Sequence, residues 1–225
     1  MIITIDGKVG TGKSSVAQSL AKALGFIYFD TGAMYRAVTW GIIKHQIDIH
    51  NETQLKEYLD RFNFKIKIDR GDKHYLVDEQ DITLAIRGAQ VTSRVSEVSA
   101  LPVVREKLVH IQRELAKGVN AIFEGRDMGT VVFPNANLKV FLTADPAVRA
   151  QRRYEELKQK FPDEAAALSL EQVLETINQR DEYDSNRALS PLRQADDAKL
   201  IDTSDMGIED VVEAILEYKD SLKKK

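Results

Sequence analysis

The 225-residue sequence contains no cysteine, which excludes disulfide bridges, thiolate nucleophiles and thiolate metal sites and leaves a reducing compartment allowed. It has no apolar run long enough to span a bilayer. Nor does it open on the basic-then-apolar stretch of a secretion signal, since strand-like residues start at Ile2. A cytoplasmic chain with no membrane partner is expected. A basic excess is also missing: 32 Lys and Arg face 35 Asp and Glu, giving a net charge of -3 and a pI near 5.9. That balance argues against a nucleic-acid surface, and the closing Lys223–Lys225 reads as a solvated tail. Four histidines, His45, His50, His74 and His110, fall into no metal-ligand or general-base pattern. Internal repeats and low-complexity linkers are absent as well.

What is present alternates strand and helix. IITID (2–6), FIYFD (26–30), NAIFEG (120–125), LKVFLTAD (138–145) and KLIDTSD (199–205) are short apolar runs of the kind a parallel sheet covered on both faces requires. Between them, Val16, Ala17, Leu20, Ala21 and Leu24 make one apolar stripe that Gly25 can stop. Pro102 opens a second helix carrying Val104, Leu108, Ile111 and Leu115 on one face. Ile208, Val211, Val212, Ile215 and Leu216 mark a last amphipathic helix. The expected fold is α/β, a five-stranded parallel sheet with helices on both faces. Two segments break the alternation. FKIKID (64–69) and HYLVD (74–78) flank a turn containing Arg70 and Gly71 and read as an antiparallel hairpin, whereas 147–167 is a strongly charged stretch.

The pattern G-x-x-x-x-G-K-[ST] is met by Gly7, Gly12, Lys13 and Ser14 between an expected strand and an expected helix. Backbone N–H groups from Gly7, Lys8, Val9, Gly10, Thr11, Gly12, Lys13, Ser14 and Ser15 are expected to wrap the phosphates of ATP. Lys13 should reach the β and γ oxygens, with the Ser14 hydroxyl near Mg²⁺. A GTPase switch would usually carry Asn-Lys-x-Asp, and a mechanical ATPase an apolar strand ending in Asp-Glu; neither is here. A small-molecule kinase needs a second anion site built from arginines. Arg36 follows the second strand, and Arg126 with Asp127 follows the third. Arg180, Asp184 and Arg187 are spaced by four and three, which puts them on one helix face. Arg149, Arg152 and Arg153 lie close to one face of the charged stretch; a lid and a surface helix are both open for it, and for Arg149 the surface role weighs as much as function. A phosphate acceptor is already anionic near neutral pH, so positioning matters more than a general base.

GKVGTGKSS, DTGAMYR, SEVSALPVVR, EGRDMGTVVFP and QRDEYDSNR, in this order, resemble the bacterial cytidylate kinase family along essentially the whole chain. The resemblance implies a P-loop nucleoside monophosphate kinase fold in one domain, with a monophosphate-side insert at about 62–88 and a lid at about 147–167. It implies transfer of a phosphoryl group from ATP to CMP or dCMP with Mg²⁺. Nothing in the sequence demands a dimer, and a monomer is expected. Lys13, Arg126, Arg180, Arg152 and Arg153 would be catalytic. Ser96, Arg105 and Asp127 would read cytosine, with Thr31 near base or sugar and Asp184 on the sugar hydroxyls. Arg36, Arg126, Arg180 and Arg187 would hold the acceptor phosphate. Thr31 stands where relatives often carry Ser, and Lys8 and Ser14 where some carry Pro and Gly. A kinase for UMP or another monophosphate, and a regulator that binds ATP without turnover, are the rival readings.

Overall fold

The computed structural model describes residues 1–69 and 72–222. The turn expected at Arg70 and Gly71 and the tail at Lys223–Lys225 lie outside the described residues. In chain order the elements begin with β1 (Ile2–Gly7), α1 (Lys13–Leu24), β2 (Ile27–Asp30), α2 (Thr31–Lys44) and α3 (Glu52–Arg61). Strands β3 (Phe64–Asp69), β4 (Asp72–Val77) and β5 (Gln80–Asp81) precede α4 (Ala89–Ala100) and α5 (Pro102–Leu115). Then come β6 (Ala121–Gly125), a π-helical turn at Met128–Val132, β7 (Leu138–Thr143), α6 (Pro146–Lys160), α7 (Pro162–Ala166), α8 (Leu170–Asn186), β8 (Lys199–Asp202) and α9 (Ile208–Leu222).

Two compact units divide these elements: Met1–Phe29 with Ala116–Lys225, and Asp30–Leu115. The first is built on a five-stranded sheet ordered β2-β6-β1-β7-β8. Strand β1 pairs in parallel with β6 (Ile3 opposite Ile122) and with β7 (Ile5 opposite Val140), and β7 pairs in parallel with β8. All five apolar runs expected to be strands are strands of this sheet. Alternation along β1 sends Ile3 and Ile5 to one face, where they share a core with Val16, Ala17 and Leu20 of α1 and Val211, Val212 and Ile215 of α9. Thr4 and Asp6 point to the other face, beneath Gly129 of the π-helical turn. There Phe123 stacks on Phe29 at 4.7 Å between ring centroids and lies 4.5 Å from Phe133.

The second unit has a separate core, drawn from α2, α3, α4, α5 and the hairpin, with Met34, Ile42, Leu55, Tyr75, Ile86, Val98 and Leu108 all buried. The hairpin is antiparallel, with Ile66 opposite Tyr75, and β5 adds a third strand. Helix α2 begins where Asp30 accepts the Ala33 N–H at 2.8 Å, and Arg87 pairs with the same carboxylate at 2.5 Å. Burial opposes the charge on Asp30, but the Arg87 guanidinium prevails and holds its pKa below the ordinary value.

Candidate active site

The loop leaving β1 runs 7–12 and hands over to α1 at Lys13. Two of its glycines are required by space as well as by conformation. Gly7 has φ 152°, and a Cβ there would lie 2.3 Å from the Leu142 carbonyl oxygen. Gly10 has φ 78°, and a Cβ would lie 2.7 Å from the Arg149 carbonyl oxygen. Lys13 is folded back, donating to the Lys8 carbonyl at 2.6 Å, while the Thr11 hydroxyl donates to the same carbonyl at 3.0 Å. The Thr11 carbonyl in turn accepts from Thr203, in the turn after β8, at 3.1 Å. Burial, then the positive charge of Arg126, push the Lys13 ammonium down to about 7. An anion placed beside it would restore its charge.

The Ser14 hydroxyl donates to Glu124 at 2.6 Å, and Tyr28 donates to the same Glu124 oxygen at 3.2 Å. Glu124 ends β6, next to β1 in the sheet, so a hydroxyl and a carboxylate oxygen stand together beside the loop. Sequence reasoning passed over Glu124 because its strand does not end in Asp-Glu. A carboxylate on a strand parallel to the loop-bearing strand was the available signal.

Beyond β6 the chain carries Arg126 and Asp127. The Arg126 Nε donates to Asp184 at 3.0 Å, and Arg180 Nε lies 4.0 Å from the same oxygen, with Arg180 and Asp184 one turn apart on α8. Burial disfavours the charge on Arg126, but Asp184 and Glu124 outweigh it and hold its pKa above the ordinary value. Arg180 is pushed down to about 10, by burial first and then by Arg126. Its Nε is buried with no hydrogen-bond acceptor among the described residues. Arg187, by contrast, has left the helix. It caps α8 with an extended backbone, so the expected shared face with Arg180 and Asp184 does not extend to it. Its guanidinium lies 3.5 Å from Asp127 instead, both side chains being buried.

The π-helical turn after Asp127 was not expected, and Asp6 explains it. The Asp6 carboxylate accepts the N–H groups of Met128 at 2.9 Å and Gly129 at 2.8 Å, tying residues adjacent to Arg126 and Asp127 to the central strand. Burial outweighs these bonds and raises its pKa to about 7.

Arg149 corrects the surface-helix alternative. It is 2% exposed, on the buried side of α6, and paired with Asp181 of α8 at 2.5 Å. Arg152 donates to the Thr203 hydroxyl and carbonyl at 3.1 and 2.6 Å, and Arg153 pairs with Glu156 at 2.7 Å. In the second unit, Thr31 is the buried first residue of α2. Arg36 of the same helix donates to the Ile86 carbonyl at 3.1 Å and to Thr92 at 2.8 Å. Arg105 of α5 donates to the Ser99 carbonyl at 3.3 Å and lies over the Tyr35 ring, while Ser96 accepts from Ser99 through its own carbonyl. The structure thus groups Lys13, Ser14, Arg126, Asp127, Arg180, Asp184 and Arg187 in one unit, and Thr31, Arg36, Ser96 and Arg105 in the other.

A glycine-rich phosphate loop between the central strand and α1, together with partly buried guanidinium groups beyond the neighbouring strand, defines a P-loop kinase. A shikimate kinase structure from Bacteroides thetaiotaomicron shares the fold, at a TM-score of 0.52 and 13% identity over 98% of each chain. The family model for cytidylate kinase matches residues 3–221, and the chain belongs to that family. It is 62% identical to a cytidylate kinase from Protochlamydia amoebophila, over 100% of this chain and 99% of that protein. A second relative, cytidylate kinase from Halalkalibacterium halodurans, is 46% identical over 97% and 96% of the two chains.

Proposed function

We propose that the chain transfers the γ-phosphoryl group of ATP to CMP or dCMP, giving ADP and CDP or dCDP. The observation that carries this reading is Arg180: a partly buried guanidinium whose buried Nε lacks an acceptor among the described residues, beside a second guanidinium on Arg126. Two such cations sharing one carboxylate, Asp184, leave positive charge in excess. A phosphate oxygen supplies what they lack. A regulator that only bound ATP would have no use for it.

The loop 7–15 holds the ATP phosphates, with Lys13 on the β and γ oxygens. Lys13, Arg126, Arg180, Arg152 and Arg153 stabilise the charge on the transferring group. For Arg152 this means exchanging its acceptors at Thr203 for phosphate oxygens. Residues 147–167 act as a lid that excludes water as a competing acceptor, and 62–88 as the insert on the monophosphate side. The oxygen set of Ser14 and Glu124 suits Mg²⁺, which keeps several waters and takes few protein ligands. When bound, the ion neutralises charge on the β and γ phosphates.

On the acceptor, Arg36, Arg126, Arg180 and Arg187 take the phosphate, Asp184 the sugar hydroxyls, and Thr31 lies near base or sugar. Ser96, Arg105 and Asp127 read cytosine, whose amino group donates to a carboxylate while Ser and Arg donate to its ring nitrogen and carbonyl. Uracil offers an oxygen where cytosine has that amino group, so Asp127 disfavours UMP. Every group assigned comes from one chain, so the reading needs no second subunit. ATP and nucleoside monophosphates are held inside cells, and the reading puts the chain in the cytoplasm.

The test is ADP release from MgATP with CMP, dCMP, UMP, AMP or GMP, with Lys13→Ala as control. CMP and dCMP should stimulate release strongly, and Asp127→Ala should narrow the ratio of CMP to UMP activity by about tenfold or more. Equal stimulation by UMP in the unaltered protein would overturn the base assignment. No stimulation by any acceptor, with ATP still bound, would return the loop to a regulatory role.

A further inference from the structure

One residue of the phosphate loop is held at both ends of its own peptide units by side chains from two different helices. The Val9 N–H donates to Asp181 Oδ1 of α8 at 3.2 Å, and the Val9 carbonyl accepts from the Arg149 guanidinium of α6 at 3.0 Å. The two side chains pair with each other at 2.5 Å, and Arg149 Nε also donates to the Ala144 carbonyl at 3.1 Å. Both are essentially buried, at 2% and 4% exposure. The next residue, Gly10, passes so close beneath the α6 backbone that a Cβ would strike the Arg149 carbonyl. The glycines permit the loop's turns, and the two side chains hold the Val9 N–H and carbonyl between them.

We propose that Arg149 and Asp181 are positioning residues for the phosphate loop, fixing the peptide orientation on which ATP binding depends, and that neither touches the nucleotide. A buried arginine–carboxylate pair is costly to desolvate and is a poor way to gain stability alone. Its planar fork, however, suits three acceptors at fixed positions, the Val9 carbonyl, the Ala144 carbonyl and Asp181. Asp181 also lies between Arg180 and Asp184 on α8, so the helix that presents the acceptor-side charges is the one that steadies the donor loop.

This inference builds on the reading that the loop takes ATP, so the test measures binding rather than turnover. MgATP and CMP are titrated separately into the whole protein by calorimetry. Arg149→Lys keeps the charge, but a single ammonium nitrogen cannot reach the acceptors that the guanidinium fork spans from Nε to its terminal nitrogen. It should weaken MgATP about threefold to tenfold and leave CMP within about twofold. The double variant Arg149→Met with Asp181→Leu removes both charges together, which the fold tolerates better than losing one. It should bind MgATP at least about tenfold more weakly, because Val9 is still released. MgATP affinity at the unaltered level in Arg149→Lys, or its recovery in the double variant, would show that the pair serves charge balance alone. Equal weakening of MgATP and CMP would show general damage and would overturn the proposal too. An unaltered protein that failed to bind MgATP would overturn the functional reading itself, whatever CMP did.

Discussion

Ion pairs on the hairpin of the second unit and ion pairs around the phosphate loop use the same residue types in different surroundings. Lys65 and Glu79 pair on the hairpin with side chains 54% and 67% exposed; Arg149 and Asp181 pair beside the loop at 2% and 5%. An exposed pair gains little, because water solvates each charge nearly as well as its partner does. A buried pair answers a desolvation cost that neither charge can meet alone, so each member becomes irreplaceable by anything of different shape. Arg187 with Asp127 belongs to the second kind, and Arg126 with Asp184, partly buried, lies nearer to it than to the first. Charge density along the sequence therefore says little about which charges matter. Their distance from water says much more.

The hardest blow to this contrast would come from Arg126. Replacing it with Ala strips Asp184 of its partner and removes a proposed acceptor ligand, and turnover with CMP should fall by about a hundredfold or more. Steady-state kinetics at saturating MgATP measures it. Full activity would put the acceptor site elsewhere.

A smaller effect is expected from the protonation of Lys13. Its pKa is pushed down from 10.5 to about 7 in the folded chain, so above pH 7 the ammonium has largely lost its proton. Bound phosphates favour the charged form and raise that pKa again. Binding of MgATP at pH 8 should then take up close to about one proton at this site, and at pH 6, where Lys13 already carries its charge, close to none. Calorimetry in two buffers of different ionisation enthalpy reads the uptake directly, and Lys13→Met should abolish the difference between the two pH values. Equal uptake at both would mean that burial does not govern this lysine.

The least effect should come from the hairpin. Lys65→Ala with Glu79→Ala should shift stability by less than about 0.5 kcal/mol and leave the KM for CMP unchanged, as seen in urea unfolding and kinetics. A large loss would mean that exposed pairs here behave like buried ones.

Much of this molecule was legible one residue at a time. The five strands declare themselves as apolar runs because a parallel sheet covered on both faces tolerates little else, and α1 and α5 by their apolar stripes. The loop from Gly7 to Ser14 announces itself because glycines at close approaches and a lysine near phosphate admit few substitutes. The hairpin was readable from alternation on either side of a Gly-containing stretch. Asp6, Glu124 and Asp181 were not. Each is a carboxylate in an ordinary local setting, and its importance comes from a partner far along the chain: Asp6 from Met128 and Gly129, Glu124 from Ser14, Asp181 from Val9 and Arg149.

Local sequence, then, determined the elements, the phosphate loop and the arginine-rich segments, because those depend on short-range sterics, periodicity and residue chemistry. Only tertiary structure decided that Arg149 is buried rather than exposed, that Arg187 turns off the helix to meet Asp127, and that Arg180 keeps a buried Nε without an acceptor among the described residues. These outcomes depend on which charges lose their water together, and that is settled by packing between segments distant in the chain.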